Sequence, residues 1–207
     1  MSLHVIVAVK GLSQGKRRLS GVLASDERRR LIVTMLEDVL ATLKASPQIK
    51  AISVLTSDAA VVPPGCARID DAGFGLNAAI SHAAQLLAQA GAREILVLPA
   101  DVPFATPDDI QALIDAGKTS ATAIAPDAAD SGTNALLMSP PTLLQPRFGL
   151  RSFAAHLAAA QAAGAFMQVV RRPGLAHDID EPADLDALIS NGGSRYGFLA
   201  RALRRVS

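Results

Sequence analysis

Cysteine is nearly absent from this 207-residue chain. Cys66 stands alone, so no internal disulfide can close and cysteine alone cannot build a thiolate metal site. Tryptophan is missing, and the aromatics amount to six Phe and one Tyr, which leaves the core to Ala, Leu, Val and Ile. An excess of one charge is missing too. The 20 Lys and Arg against 19 Asp and Glu leave +1, without the strongly basic footprint of a general nucleic-acid binder. No apolar run approaches the ~18 residues of a membrane span. No charged leader precedes the short apolar stretch Val5–Val9, so a signal peptide is not expected and a cytoplasmic protein is. Neither nucleic acid nor membrane is expected as a partner.

What is present suits one domain with a full core, since half of the residues are hydrophobic. Strand-like and helix-like segments alternate. Leu3–Val9 is short, apolar and β-branched, and it ends at Lys10-Gly11. Leu31, Ile32, Met35, Leu36, Val39, Leu40 and Leu43 recur at helical spacing after Ser25, the expected N-cap. Ala51–Leu55 is a second strand, and 59–69 looks irregular. An alanine-rich helix follows Gly75-Leu76-Asn77. Glu94–Leu98 is the central strand. Thr106-Pro107-Asp108-Asp109 has the pattern of a capped helix start. Ala121–Ala125, Asn134–Met138 and Met167–Val170 are further strands, and Ser152–Ala163 a further helix. This predicts one α/β domain over residues 1–190, with a largely parallel sheet and a basic, helical tail over 191–207. The tail is expected to be solvated; contact with nucleotide phosphates or with a second subunit in a homodimer is the alternative.

In such sheets ligands bind beyond the carboxyl ends of the strands, and five stations there carry chemistry. After the first strand come Lys10, Gly11, Gly15, Lys16, Arg17 and Arg18. Glycines let amides approach a phosphate and cations neutralise it, but Arg17 stands where a Walker loop needs Ser or Thr. A solvated basic loop fits the same residues. Asp101, boxed by Pro99 and Pro103, follows the central strand and is a candidate Mg²⁺ ligand. Asp178 and Asp180, two apart in an extended segment, could add carboxylate oxygens; taken alone, Asp180 reads better as the cap of the next helix, an alternative that Asp178 lacks. Asp130-Ser131-Gly132-Thr133-Asn134 can donate hydrogen bonds to an acid or phosphate. Phe148-Gly149-Leu150-Arg151-Ser152 opens a helix, where free amides, Ser152 and Arg151 favour an anion. His4, His82 and His156 are expected to be packing or surface residues.

Taken in order, the segments Lys16-x-Arg18-Leu19, Gly75-Leu76-Asn77, Pro99-Ala100-Asp101-Val102-Pro103, Gly132-Thr133-Asn134, Phe148-Gly149-x-x-Ser152-Phe153-x-x-His156 and Asp178-Ile179-Asp180 resemble one family. It is the guanylyltransferases of deazaflavin coenzyme F-420 biosynthesis. The resemblance spans residues 3–190. It implies a Rossmann-like, glycosyltransferase-A-like nucleotidyltransferase fold. It also implies transfer of GMP from GTP to phosphoenolpyruvate, 3-phosphoglycerate or 2-phospholactate, with release of pyrophosphate. On that resemblance Asp101 and Lys16 are catalytic. Asp101, Asp178 and Asp180 hold Mg²⁺. Lys10, Gly11, Lys16, Arg18, Gly75 and Asn77 hold the nucleotide. Thr133, Asn134, Gly149, Arg151 and Ser152 hold the acceptor. One departure is Arg17, where the family commonly has a small residue. Another nucleotidyltransferase, such as a molybdenum-cofactor enzyme, or a non-catalytic nucleotide-binding regulator is the competing expectation.

Overall fold

A computed structural model describes residues 2–12, 15–71, 73 and 75–205. Of the segments singled out above, Ser13 and Gln14 of the basic loop, Ala72 and Phe74 before the second helix, and the last two residues of the tail lie outside the described residues. Strand β1 (Leu3–Ala8) leads through a 3-10 turn (Arg17–Gly21) to α1 (Ser25–Lys44), β2 (Ile49–Leu55), β3 (Ala67–Ile69) and α2 (Leu76–Gln89). Next come β4 (Glu94–Pro99), α3 (Pro107–Thr119), β5 (Thr122–Pro126), β6 (Thr133–Met138), α4 (Ser152–Ala162) and β7 (Met167–Val169). Three short helices close the chain: α5 (Pro173–Ala176), α6 (Asp184–Asn191) and α7 (Gly197–Leu203).

The sheet runs β3-β2-β1-β4-β6-β5-β7. Every pairing is parallel except the two made by β6, which is antiparallel to β4 and β5. The cause is local. Only residues 127–132 join β5 to β6, too few for a crossover, so the chain must turn back as a hairpin. The reversal puts the start of β6, Thr133 and Asn134, at the carboxyl ends of β4 and β5. A strand running the other way would bury these residues at the far edge.

Two of the helix starts differ in an instructive way. Thr106 and Asp109 cap α3 reciprocally: the Asp109 amide donates to Thr106 Oγ1 at 3.2 Å, and the Thr106 amide to Asp109 Oδ2 at 3.0 Å. The expected cap at Ser25 is not used. Ser25 is already inside α1, and Glu27 reaches back to accept the Ala24 amide at 2.9 Å. The stretch expected to be irregular contains β3, a short edge strand beside β2.

The core has three parts. One packs α1 and α3 on one sheet face, and a second packs α2 and α4 on the other. The third lies beyond the sheet and joins Leu19 and Leu23, Leu31 and Met35 of α1, Ile179 from the segment before α6, Leu185 and Leu188 of α6, and Tyr196, Phe198, Leu199 and Ala202. The C-terminal segment is helical, but its apolar side is buried rather than solvated.

Candidate active site

The centre of the site is one cation among carboxylates. Ala100 continues β4 by donating its amide to the Ala8 carbonyl at 3.0 Å, which presents Asp101 just past the sheet edge. The Ile179 amide donates to the Asp101 carbonyl at 3.0 Å and lays residues 178–180 alongside. Lys16 sits in a left-handed conformation (φ 54°) at the start of the 3-10 turn, anchored by fully buried Leu19. From there its Nζ reaches Asp101 Oδ2 at 2.6 Å and Asp180 Oδ1 at 2.8 Å. The Lys16 side chain is only 8% exposed, against 26% for Asp101 and 48% for Asp180.

Electrostatics follow from this packing. Burial works against the Lys16 ammonium, but Asp101 and Asp180 outweigh it and hold its pKa above the ordinary lysine value. Burial likewise opposes the Asp180 charge; Lys16 first, then Arg18 and Lys10, bring that carboxyl below its usual range. Asp178 has no such cation. Burial and the neighbouring Asp101 charge push its pKa up, against a hydrogen bond from Asn134 Nδ2 at 3.3 Å. Asp101 meets Lys16 with one oxygen and Asp178 meets no cation, so these two carboxyls are the ones that could hold a further cation. Among the described residues no group of three or more His, Cys, Asp or Glu is placed to hold a metal ion. Mg²⁺ commonly takes one or two carboxylates and completes its shell with water and substrate phosphates.

Of the other predicted residues, Thr133, Gly149, Arg151, Ser152, Gly75 and Asn77 form a frame on the α2 and α4 side. Asn134 Nδ2 also donates to the Leu175 carbonyl at 2.9 Å, tying β6 to the segment that carries Asp178. Thr133 Oγ1 lies 3.0 Å from Nδ1 of His156. Gly149 (φ 124°) and Arg151 (φ 54°) turn the chain into α4, and the Ser152 amide donates to the Gly149 carbonyl at 3.1 Å. Gly75 (φ 89°) caps α2. Asn77 then clasps Phe148, accepting its amide at 2.7 Å and donating to its carbonyl at 3.0 Å. The Asn77 side chain thus joins the first turn of α2 to the loop before α4. Arg18 pairs with Glu181 at 3.2 Å on the surface, Lys10 is exposed, and a Cβ on Gly11 would stand 3.2 Å from Asp58 Cβ.

Two structural contributors escape a sequence search, and a third stood in a quoted segment without being read as a site residue. Asp58 accepts the Leu12 amide at 3.0 Å and so holds the basic loop. Asp127 accepts the amides of Ala129, Ser131 and Gly132 at 3.1, 2.8 and 2.7 Å and shapes the turn before Thr133. Only its place at the end of β5 hinted at this. His156, expected to be a packing or surface residue, is fully buried and hydrogen-bonded at both ring nitrogens; the signal was its place at the end of the segment Phe148–His156.

A buried lysine stands among carboxylates at the carboxyl ends of a mixed α/β sheet, and the fold is that of nucleotidyltransferase-like proteins. Two solved structures share the fold. A protein of Desulfovibrio desulfuricans assigned as a nucleotide-diphospho-sugar transferase matches with a TM-score of 0.82 and 19% identity, over 100% of this chain and 99% of its own. CMP:2-keto-3-deoxy-manno-octonic acid synthetase, solved with CTP, matches with a TM-score of 0.64 and 12% identity, over 97% and 99% of the two chains. The family is nearer in sequence. The phosphoenolpyruvate guanylyltransferase of Rubrobacter xylanophilus is 40% identical over 95% of this chain and 98% of its own. The model of the guanylyl transferase CofC-like family matches residues 3–205, and the chain belongs to that family. No helix among the described residues is long and apolar enough to cross a membrane.

Proposed function

We propose that this chain transfers the guanylyl group of GTP to the phosphate of a three-carbon phospho-acid, with phosphoenolpyruvate as the foremost acceptor, in coenzyme F-420 biosynthesis. The 40% identity to a phosphoenolpyruvate guanylyltransferase along nearly the whole chain carries the proposal. An oxygen of the acceptor phosphate attacks the α-phosphorus of GTP. A P–O–P bond forms, the bond to the β-phosphate oxygen breaks, and pyrophosphate leaves with the electron pair. The nucleophile is already ionised near neutral pH, so no side chain has to remove a proton from it.

Catalysis then rests on positioning and charge. Lys16, with Lys10 and Arg18 nearby, offsets the negative charge of the triphosphate. Thr133, Asn134, Gly149, Arg151 and Ser152 orient the acceptor, and Gly75 and Asn77 border the nucleotide. Asp101 and Asp178, with Asp180 beside them, fit Mg²⁺, which when bound supplies charge neutralisation at phosphate oxygens.

Pyrophosphate release tests the proposal with GTP or CTP against phosphoenolpyruvate, 3-phosphoglycerate and 2-phospholactate. Release with GTP and phosphoenolpyruvate, and much less with CTP, is the expected outcome. No release with any of the three acids, or equal rates with CTP, would overturn it.

A further inference from the structure

The hydrogen-bond roles of the buried His156 ring are forced by its neighbours. Nε2 lies 2.9 Å from the Arg147 amide nitrogen, a group that only donates. Nε2 is therefore the bare, accepting nitrogen, and the single proton of a neutral ring sits on Nδ1. Burial lowers the pKa of the ring to about 4, so near neutral pH it carries that one proton. Thr133 Oγ1 stands 3.0 Å from Nδ1. Facing an N–H, this oxygen accepts, and its own hydrogen must point elsewhere.

We infer that His156 is a positioning residue for the acceptor: Nδ1–H locks Thr133 as a hydroxyl donor toward an anionic carboxylate or phosphate oxygen, while Nε2 pins the loop that carries Gly149. The inference rests on the acceptor site proposed above. A hydroxyl locked as a donor gives a charge-assisted bond to an anion. A freely rotating hydroxyl presents lone pairs to the same anion part of the time. The loop is held from other sides as well. Phe148 packs edge-on to the imidazole, with ring centroids 5.0 Å apart, and Asn77 clasps the Phe148 backbone.

Two isosteric substitutions separate the ring's two roles. In His156→Asn an amide N–H stands near the position of Nδ1 and nothing replaces Nε2. In His156→Gln an amide oxygen can replace Nε2 and nothing donates from the Nδ1 position. Steady-state pyrophosphate release would be measured for both, for Thr133→Val, and for Thr133→Val combined with His156→Gln. His156→Gln is expected to raise the KM for phosphoenolpyruvate roughly threefold, since the unlocked hydroxyl can still donate from one of its three staggered positions, and less than Thr133→Val, which loses the bond altogether. KM for GTP should barely move, and His156→Asn should recover most of the loss. In the Thr133→Val background His156→Gln should add nothing, because no hydroxyl is left to orient. Better acceptor binding by His156→Gln than by His156→Asn, parallel changes in both KM values, or multiplying effects in the double variant would overturn the inference. Nitrogen-15 NMR of the wild-type ring covers the case in which a variant does not fold: a proton on Nε2 refutes the assignment outright. If wild-type protein releases no pyrophosphate with any of the three acids, the proposed function falls, and the tautomer still decides the geometry.

Discussion

At the scale of single residues, the unusual feature is a lysine at a carboxylate proposed to hold a metal. On that proposal Lys16 and a divalent ion would both use Asp101, which already gives one oxygen to the ammonium at 2.6 Å. The two cations would then compete until GTP phosphates gave Lys16 other partners. Lys16→Met should bind Mn²⁺ more tightly than wild type without nucleotide, by roughly three- to tenfold, as measured by calorimetry. It should also lose roughly a hundredfold in kcat/KM for GTP. Unchanged Mn²⁺ affinity would mean that ammonium and ion use separate oxygens. Asp101→Asn should keep the fold, since the side chain is at the sheet edge, and lose nearly all turnover. Near-normal turnover at saturating Mg²⁺ would remove Asp101 from the ion site. The place of Asp101 just past the end of β4 was legible in the sequence, because Pro99 and Pro103 box a carboxylate that follows an apolar strand. The inward turn of Lys16 was not, because its partners lie 85 and 164 residues along the chain.

At the scale of elements, the hairpin β5–β6 decides which residues reach the site. Both strands are buried along their whole length, so their apolar pattern does not reveal direction. The short connection did carry that information. Its turn is built on Asp127. Burial opposes the Asp127 charge, but the amides of Ser131 and Gly132 outweigh it and lower the pKa. A carboxyl lowered on folding stabilises the fold fully above its unfolded pKa, near 3.8, and that contribution is lost as pH falls through the folded value. Asp127→Ala should therefore cost about 1–2 kcal/mol at neutral pH and less in acid. Chemical denaturation at pH 7 and pH 3 measures the difference. It should also raise the KM for phosphoenolpyruvate more than that for GTP, because the turn leads into Thr133. Equal destabilisation at both pH values would mean that the carboxylate charge does not hold the turn.

At the scale of the whole molecule, net charge near zero cannot draw in two anionic substrates, so local cations must be held in register with local carboxylates. The third core cluster does this. It contains Leu19, next to the Lys16 turn, and Ile179, between Asp178 and Asp180, and it packs both against α1 and the C-terminal helices. Tyr196 is nearly fully buried, and its hydroxyl donates to Asp38 of α1 at 2.6 Å. Arg195 pairs with Glu37 and Asp38 on the same helix. The arginines of this segment drew attention as surface charge, while Tyr196, Phe198, Leu199 and Ala202, the residues that matter for docking, are spaced as the apolar side of a short helix. Both arms that carry Lys16 and Asp180 thus lean on residues after 191, although the sheet does not. Leu199→Ala should cost about 2–4 kcal/mol. Ending the chain after Asn191 should leave most of the far-ultraviolet circular dichroism intact and still cut kcat/KM for GTP by more than roughly tenfold. If the shortened protein stays folded and keeps its kinetics with GTP, the Lys16–Asp180 pair is held by its own loops, and the C-terminal helices serve another purpose.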